Sequence, residues 1–262
     1  MNVNGKTIWI TGASSGIGEA LAIELSKADV HLILSSRSQE ALEQVALKCG
    51  NEKCTVIPLD LTNPDSIQAA LTSVQSKFSK VDVLVNNGGV SQRATVLETS
   101  IETERKLMEV NYWGAIQLTK GILPLMIKNG GGMFVTITSV VGKFGFRLRS
   151  TYASSKHALH GYFDSLRAEY HDDNIRVCLV CPGRILTKVS QNAMKGDGTK
   201  HAELDPGQKN GLSAEYCAQQ IVKAIQKEKK EIFIARGEKW LWQIKRFMPW
   251  LYYRLATKLS PK

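Results

Sequence analysis

The sequence of 262 residues predicts an α/β domain with a doubly wound parallel sheet of about seven strands. Two observations support this fold class. Short apolar runs alternate with longer helical patterns along most of the chain, which is typical of strand–helix units with right-handed crossovers. A glycine-rich turn directly follows the first apolar run, where doubly wound sheets bind their ligands. We therefore predict one domain over residues 1–238, followed by a tail over 239–262.

Seven apolar runs are predicted as strands, at 6–11, 30–35, 54–58, 81–85, 133–138, 175–180 and 231–235. Helical patterns cover 19–27, 38–49, 64–78, 101–129, 152–170 and 213–227. Residues 188–211 are polar and carry four glycines. A loop of that length in a compact domain is typical of a lid or a disordered segment.

The net charge of +10 is concentrated at the C-terminus. Residues 239–262 hold six basic residues and no acidic one, whereas residues 1–238 hold 28 basic and 24 acidic residues. A domain that binds nucleic acid has a strong basic excess of its own, and this one does not. The charge pattern therefore argues against nucleic acid as a partner.

The cysteine count and the hydropathy pattern indicate the compartment. Five cysteines make an odd number and follow no metal-ligand spacing, so we interpret them as reduced thiols and predict no metal site. The first residues show no signal region, and no apolar run approaches the roughly 20 residues of a spanning helix. We expect a cytoplasmic protein with at most peripheral membrane contact.

The turn TGASSGIG at residues 11–18 is the first candidate binding site. A strand, a glycine-rich turn and a helix N-terminus together present free backbone N–H groups to a phosphate. Glycines at these positions permit a tight turn and a close approach of the ligand. The predicted contacts with a dinucleotide are Gly12, Ser14, Ser15, Gly16, Ile17 and Gly18.

The end of the second strand indicates which dinucleotide is bound. An enzyme that binds the free ribose hydroxyl of NAD(H) usually carries Asp or Glu near this position, but this chain has Ser36 and Arg37. A guanidinium can bind a 2′-phosphate in a fork, so NADP(H) is favoured. After the third strand, Asp60 can accept a hydrogen bond from the adenine amino group, with Leu61 beside it.

Tyr152 and Lys156 lie four residues apart in a helical pattern and therefore share one helix face. An ammonium beside a phenol favours the phenolate form, which lets Tyr152 exchange a proton with a substrate oxygen. Ser139, at the end of the fifth strand, would be a second donor to the same oxygen. Taken alone, this pattern also fits an ordinary Tyr–Lys pair.

The order and spacing of several motifs resemble the short-chain dehydrogenase/reductase family. These motifs are TGASSGIG, Asp60, NNGG at 86–89, Asn111, Ser139, Tyr152-x-x-x-Lys156 and Pro182-Gly183 with Thr187. The resemblance covers nearly the whole chain and implies a Rossmann-type fold. It implies that Ser139 polarises a substrate carbonyl, that Tyr152 transfers the proton, and that Lys156 also holds the nicotinamide ribose. It further implies that Asn111 keeps a water beside Lys156. The remaining cofactor contacts that it implies are Asn86, Gly88, Pro182, Gly183, Ile185 and Thr187.

One position departs from the family pattern, because Gly88 stands where the family usually has Ala. The segments NNGGVSQR and RLRSTYASSKHAL look closest to a membrane-associated branch that includes acyl-dihydroxyacetone-phosphate reductase-like enzymes. That branch acts on lipid-like ketones. The resemblance also implies a homodimer or homotetramer.

The substrate mouth is predicted between residues 140–150 and the lid. Apolar side chains from both segments indicate an apolar pocket; they are Phe144, Phe146, Leu148 and Met194. Arg147 and Arg149 could meet an anionic group, although solvated surface charge is the favoured interpretation of both.

The tail carries aromatic and basic residues at helical spacing, and Pro249 must break or kink the helix. Its aromatic residues are Trp240, Trp242, Phe247, Trp250, Tyr252 and Tyr253. A basic amphipathic helix with Trp and Tyr suits a membrane interface. The same pattern also fits packing against a second subunit or over the substrate mouth, and the sequence leaves both open.

These observations predict an NADP(H)-dependent oxidoreductase that acts on a carbonyl or secondary alcohol of an apolar or lipid-like substrate. A 3-oxoacyl carrier-protein reductase is the alternative within the same class. The alternative from another class is a dinucleotide-binding regulator without turnover.

Overall fold

The computed structural model describes residues 1–258, which form a seven-stranded sheet with every strand parallel. The strands are β1 (Lys6–Thr11), β2 (Val30–Ser35), β3 (Cys54–Val56), β4 (Val83–Asn86), β5 (Gly132–Ile137), β6 (Ile175–Pro182) and β7 (Glu231–Ile234). Their order across the sheet is β3-β2-β1-β4-β5-β6-β7. The order reverses between β1 and β4, so the ligand crevice of a doubly wound sheet opens at the carboxyl ends of these two strands.

Helices connect the strands on both faces of the sheet. They are α1 (Gly16–Leu25), α2 (Gln39–Cys49), α3 (Pro64–Lys77), α4 (Ile101–Met108), α5 (Gly114–Lys128), α6 (Ser150–Glu169), α7 (Pro206–Lys209), α8 (Ala214–Gln226), α9 (Glu238–Phe247) and α10 (Pro249–Ala256). Local sequence sets several helix starts. Asn63, directly before Pro64, caps α3 by accepting hydrogen bonds from the backbone N–H groups of Asp65 and Ser66. Ser213 caps α8 by accepting from the N–H of Tyr216.

Two apolar layers hold the sheet between the helices. One layer packs α1, α2 and α8 on one face, and the other packs α3, α5 and α6 on the opposite face. Successive side chains of β1 pack in different layers: Ile8 and Ile10 belong to the first layer and Trp9 to the second. Coverage of both faces explains why the central strands are nearly continuous apolar runs.

The predicted fold class is confirmed, but the helix predicted over 101–129 is interrupted. A π-helical turn at Glu109–Trp113 separates α4 from α5. This turn contains Asn111, which is buried and binds the backbone of Val90 through both polar atoms of its amide group. The wider turn directs Asn111 towards the carboxyl edge of the sheet, and such turns occur frequently at functional sites.

The segment 188–211, predicted as a lid or a disordered loop, folds against residues 91–100. The backbone N–H of Arg93 donates to the carbonyl of Met194, and the N–H of Met194 donates to the carbonyl of Ser91, both at 2.8 Å. The N–H of Ser100 donates to the carbonyl of Gly196 at 2.9 Å. The segment is therefore fixed to residues 91–100 by backbone hydrogen bonds. Within residues 1–258, no helix is both long enough and apolar enough to cross a membrane.

Candidate active site

The glycine-rich turn joins the end of β1 to the start of α1. Gly12 is left-handed, with φ +62°, and a Cβ there would lie 2.9 Å from the Cα of Gly88. A Cβ at Gly18 would overlap the carbonyl oxygen of Gly12, because the first turn of α1 packs directly on the loop. A side chain at either position would therefore push the loop away from the sheet.

The N-terminus of α1 is not capped by a side chain. Ser15 is the N-cap residue in extended conformation, and its hydroxyl accepts no capping hydrogen bond. The first N–H groups of a helix have no partner inside the helix, and the helix dipole favours an anion there. Ser14, Gly16 and Ile17 flank this N-terminus, so the turn presents backbone donors that suit a phosphate.

Asn87, which the sequence analysis missed, ties the glycine-rich turn to β4. Its Nδ2 donates to the carbonyl oxygens of Thr11 at 2.9 Å and Gly12 at 3.1 Å. The hydroxyl oxygen of Thr11 accepts from the backbone N–H groups of Asn87 and Gly88, each at 3.0 Å. The available signal was the Asn doublet directly after a buried strand, because short polar side chains there commonly bind backbone.

Two neighbours of Asn87 that were predicted for the adenosine side have different surroundings. Asn86 is buried, and its Nδ2 donates to the hydroxyl of Thr119 at 3.1 Å. A Cβ at Gly88 would lie 2.5 Å from Cδ1 of Leu61. The end of the Leu61 side chain therefore occupies the space of the usual alanine methyl group, and it would have to turn aside for an alanine at this position.

The residues predicted at the adenine and 2′-phosphate end all lie at the carboxyl edge. Arg37 is exposed just after β2, and Ser36 beside it donates to the carbonyl of Ser38 at 3.4 Å. Asp60 accepts from the N–H and the hydroxyl of Thr62, at 2.9 and 2.8 Å. The carboxylate of Asp60 is thus held by the loop, while the guanidinium of Arg37 is available to a ligand.

Tyr152 and Lys156 lie one turn apart on α6, with Nζ of Lys156 5.9 Å from the centroid of the Tyr152 ring. Lys156 is buried, and its ammonium donates to the carbonyl of Ile137 at 2.9 Å. Burial lowers the pKa of Lys156 to about 8, because the charged form loses its hydration. One carbonyl satisfies one of the three ammonium donors, so Lys156 suits further acceptors such as ribose hydroxyls.

Asn111 lies beside Lys156. Its Oδ1 accepts from the N–H of Val90 at 2.8 Å, and its Nδ2 donates to Val90 O at 2.9 Å and to the hydroxyl of Ser155 at 3.1 Å. A Cβ at Gly89 would lie 3.0 Å from Oδ1 of Asn111 and 3.4 Å from Nζ of Lys156, so both side chains flank this glycine. Asn111 thereby links the π-helical turn, the end of β4 and α6.

Ser139 follows β5 at the same edge and is mostly buried. Its hydroxyl donates to the carbonyl of Pro182 at 3.3 Å and accepts from the N–H of Val141 at 3.4 Å. Both distances are long for hydrogen bonds of their type. The hydroxyl is therefore weakly held and can turn towards a better acceptor.

The segment after β6 closes the site against the glycine-rich turn. The Thr187 methyl group would lie 3.2 Å from a Cβ at Gly16, so Thr187 packs on the turn itself. Ile185 is buried, and its carbonyl accepts from the side chain of Gln208. Pro182 ends β6, and Gly183 and Ile185 continue the chain along the crevice.

Gln92 is a second residue that the sequence analysis missed. Its Oε1 accepts from the backbone N–H groups of Thr151 at 2.9 Å and Tyr152 at 3.1 Å, in the first turn of α6. Its Nε2 donates to the hydroxyls of Thr99 and Ser150. Gln92 is fully buried, and from a distant segment its side chain caps the N-terminus of the helix that carries Tyr152. A separation of 60 residues left no local signal for this contact.

Comparison with known proteins decides the family. A sequence model described as short chain dehydrogenase matches residues 6–198. The chain belongs to the short-chain dehydrogenase family. A dehydrogenase/reductase SDR family protein 7-like from Anopheles gambiae is 39% identical over 272 residues, covering 100% of this chain and 85% of that protein.

Solved structures of short-chain dehydrogenases share the fold. L-sorbose reductase from Gluconobacter frateurii, complexed with NADPH and L-sorbose, is 26% identical with a TM-score of 0.79, covering 91% of this chain and 98% of that one. A short-chain dehydrogenase from Burkholderia phymatum in complex with NAD has 21% identity and a TM-score of 0.81, covering 100% and 98%. Family membership therefore supports a nicotinamide cofactor, and the neighbours bind either form.

In this short-chain dehydrogenase, α9 and α10 pack over residues 140–146. Tyr252 is buried, and its hydroxyl donates to the carbonyl of Gly145 at 2.6 Å. Its ring lies 6.0 Å from that of Phe144, while Trp242 stacks on Phe233 at 5.1 Å. The prediction that Phe144 lines an open pocket is wrong, because Tyr252 covers this ring and leaves it 1% exposed.

A partly buried cluster of polar side chains joins α6, β6 and β7. Ligand atoms of His160, Cys181 and Glu231 lie within 4.8 Å of one another. Lys143 Nζ is 2.6 Å from Glu231 and supplies the positive charge there. Burial raises the pKa of the Cys181 thiol to about 12 and lowers that of His160 to about 3.

Proposed function

We propose that the chain is an NADP(H)-dependent oxidoreductase that interconverts a carbonyl and a secondary alcohol. The observation that carries this proposal is the buried ammonium of Lys156 beside the ring of Tyr152, at the sheet edge that also carries the glycine-rich turn. The turn suits a dinucleotide, because Gly12 and Gly18 let the loop pack closely on its own backbone and on the segment after β4, and α1 has no capping side chain. When bound, NADP(H) supplies or accepts the hydride.

The proton chemistry belongs to side chains of this chain. In reduction, the phenol of Tyr152 donates its proton to the substrate oxygen as hydride reaches the carbonyl carbon, and the alcohol forms. The ammonium of Lys156 stabilises the phenolate that remains. The Ser139 hydroxyl donates to the same oxygen, since its contacts at 3.3 and 3.4 Å are easily exchanged. Asn111 fixes the backbone next to Lys156, where a water can resupply the proton.

Arg37 supports NADP(H) as the form of the cofactor. Its guanidinium is exposed at the end of β2, in the position where a carboxylate would bind a free ribose hydroxyl. A 2′-phosphate suits a guanidinium, whereas it would be repelled by a carboxylate. These two facts support NADP(H), with Asp60 and Leu61 on the adenine side.

The substrate is proposed to be apolar or lipid-like. Phe146, Leu148 and Met194 are half-buried around the mouth, and Tyr152 packs in the same apolar cluster as Phe146 and Tyr252. The C-terminal helices therefore form one wall of the mouth. A 3-oxoacyl carrier-protein reductase remains the alternative within the class, and a regulator without turnover remains the alternative outside it.

The outer face of the C-terminal helices supports a peripheral membrane contact of a cytoplasmic enzyme. Trp240, Phe247 and Trp250 are 61–71% exposed, and each ring lies within 6 Å of a cationic group of Lys239, Arg246 or Arg254. Interleaved aromatic and basic side chains suit an anionic lipid surface. For the homo-oligomer, a groove of about 840 Å³ between α5 and α6 offers an apolar surface to a second copy.

The test is NADPH consumption over a panel of lipid-like ketones, steroids, small aldehydes and 3-oxoacyl thioesters. Wild type should consume NADPH with at least one ketone, and Tyr152→Phe should lower kcat by about 100- to 10,000-fold while the Kd for NADPH stays within about twofold. Turnover of carrier-protein thioesters alone would favour the reductase alternative. NADPH binding without turnover of any carbonyl would favour the regulator.

A further inference from the structure

Two arginines share one carboxylate at the substrate side of the site. The Nε and Nη2 atoms of Arg93 both donate to Oδ2 of Asp205, and its Nη1 donates to the hydroxyl of Ser91 and the carbonyl of Gln92. The side chain of Arg93 is 3% exposed. Every nitrogen of Arg93 therefore has a protein partner, so this arginine holds segment 188–211 against residues 91–93.

Arg149 is held much less completely at the same carboxylate. Its Nη2 is 3.6 Å from Oδ2 of Asp205, its Nη1 is 3.4 Å from the hydroxyl oxygen of Ser91, and its Nε is buried without a partner among the described residues. The side chain is 18% exposed. The favoured interpretation of Arg149 as solvated surface charge is therefore wrong, whereas Arg147 is exposed.

The charges around Arg149 do not balance. Two guanidinium groups face one carboxylate, whose other oxygen is 3.4 Å from Nε2 of His201. A charge that is taken out of water without a counter-charge is costly, and an unpaired buried donor adds to that cost. Burial, and next the positive charge of Arg93, lower the pKa of Arg149 to about 10. One more negative group beside Arg149 would restore the balance.

The backbone directs Arg149 into this position. Leu148 is a non-glycine residue in the left-handed region, with φ +61°, and its carbonyl accepts from the N–H of Ala94 at 3.4 Å. Such a conformation is unfavourable for a residue with a side chain and persists where the surroundings require it. Arg149 follows at once and precedes α6, three residues before Tyr152. The guanidinium therefore belongs to the residue that directly precedes the helix carrying Tyr152.

We propose that Arg149 binds an anionic group of the substrate, a carboxylate or a phosphate monoester. This inference rests on the proposed carbonyl reduction and names the substrate class of that same site. The Nη1 and Nη2 donors, held only at 3.4 and 3.6 Å by their protein partners, form a fork that matches two oxygen atoms of such a group. Phe146 and Leu148 lie beside Arg149 in the chain, so the preferred substrate is an amphiphilic carbonyl compound with an acidic end.

The experiment compares matched substrates that differ in this charge. Medium-chain oxo carboxylic acids are measured against their methyl esters, and phosphate monoesters of hydroxyketones against the parent hydroxyketones. The readout is the ratio of kcat/KM with NADPH between the charged and uncharged members, at constant ionic strength. The proteins are wild type, Arg149→Met, Arg149→Lys and the neighbouring charge control Arg147→Met.

Wild type should prefer the charged member of at least one pair. Arg149→Met should lower that ratio by about 10- to 100-fold, as expected for a lost charge-assisted hydrogen-bond pair. Arg149→Lys keeps the charge without the fork and should lower the ratio by about tenfold. Arg147→Met should leave the ratio unchanged. The pair that responds identifies the carboxylate or the phosphate.

Two outcomes would overturn the inference separately from the proposed function. If the uncharged ketones are reduced and the ratio does not change in Arg149→Met, Arg149 only anchors the loop and the oxidoreductase stands. If Arg149→Met does not fold, an unchanged ratio in Arg149→Lys leads to the same conclusion. If wild type reduces neither member of any pair with NADPH, the proposed function itself fails.

Discussion

The proposed cofactor side and the proposed substrate side of this site are built differently. On the cofactor side, the shape of the site is set mainly by the backbone, because a side chain at Gly12 or Gly18 would collide with neighbouring backbone. On the substrate side, side chains from distant segments meet, as Gln92 does with α6 and Arg93 with Asp205. Steric requirements leave a readable trace in the sequence, whereas long-range contacts leave none.

In the proposed site, Lys156 belongs to both sides. It packs next to Tyr152, and its remaining donors suit the ribose of the cofactor. Changes on the cofactor side should therefore affect binding, and changes on the substrate side should affect turnover. Substitutions on each side test whether this division holds.

Gly18→Ala should have the largest effect on the cofactor side. The new methyl group would overlap the carbonyl of Gly12 and lie 2.6 Å from Nδ2 of Asn87, so the turn must move. We expect the Kd for NADPH, measured by fluorescence titration, to rise by about 100-fold, as for the loss of two charge-assisted hydrogen bonds. The free energy of unfolding should fall by about 1–3 kcal/mol.

Gly237→Ala is the matched control, because a Cβ at Gly237 meets no atom within 4 Å. It should leave both the Kd and the free energy of unfolding nearly unchanged. Tight NADPH binding by Gly18→Ala would show that the turn tolerates a side chain, and the steric account of the cofactor side would be wrong.

Gln92→Met should affect turnover rather than binding. It removes the acceptor for the N–H groups of Thr151 and Tyr152, which loosens the first turn of α6. We expect kcat to fall by about 10- to 100-fold, because small displacements of a reacting group are costly. The Kd for NADPH should stay within about twofold.

Gln92→Glu keeps the acceptor and adds a negative charge that the helix N-terminus favours. It should restore at least part of kcat, which a role in packing alone would not explain. A rise in the Kd for NADPH that matches the loss of kcat would instead mean that Gln92 supports the whole crevice.

Arg37→Asp should have a smaller effect, confined to the choice of cofactor. The carboxylate would repel a 2′-phosphate and accept from a free ribose hydroxyl. We expect the ratio of kcat/KM for NADPH over NADH to fall by about 10- to 100-fold. Arg37→Met should show part of this change. A constant ratio in both variants would contradict the assignment of NADP(H).

The sequence predicted the seven-stranded sheet and the positions of the glycine-rich turn, Ser139, Tyr152 and Lys156 at its carboxyl edge. Each of these depends on local pattern, since strands ending in polar or glycine residues mark that edge. The interruption of the helix at Glu109–Trp113 could not be predicted in the same way, because the contacts of Asn111 with Val90 and Ser155 produce it.

The substrate side was predicted less well for the same reason. Burial of Arg149 depends on Leu148 being left-handed and on Asp205, which is far away in the chain. Phe144 is covered because Tyr252 of α10 reaches the carbonyl of Gly145, 107 residues away. The amphipathic pattern of the tail was evident, but not which of its aromatic residues would turn inwards.

The most direct measurement concerns Lys156, where the two sides meet. Its pKa of about 8 in the free protein lies below the ordinary value of 10.5, because burial disfavours the charge. Acceptors on the ribose would stabilise the ammonium and raise this pKa again. NADP⁺ affinity should therefore be greatest below pH about 8 and decrease above it, with a limiting slope of about tenfold per pH unit.

The affinity of wild type and of Lys156→Met for NADP⁺ should be measured by calorimetry from neutral pH upwards. We expect wild type to take up a proton on binding above pH about 8 and to lose affinity, while Lys156→Met binds more weakly with no such dependence. An affinity of wild type that does not change through this range, or the same slope in Lys156→Met, would contradict the role of the buried ammonium in joining cofactor and phenol.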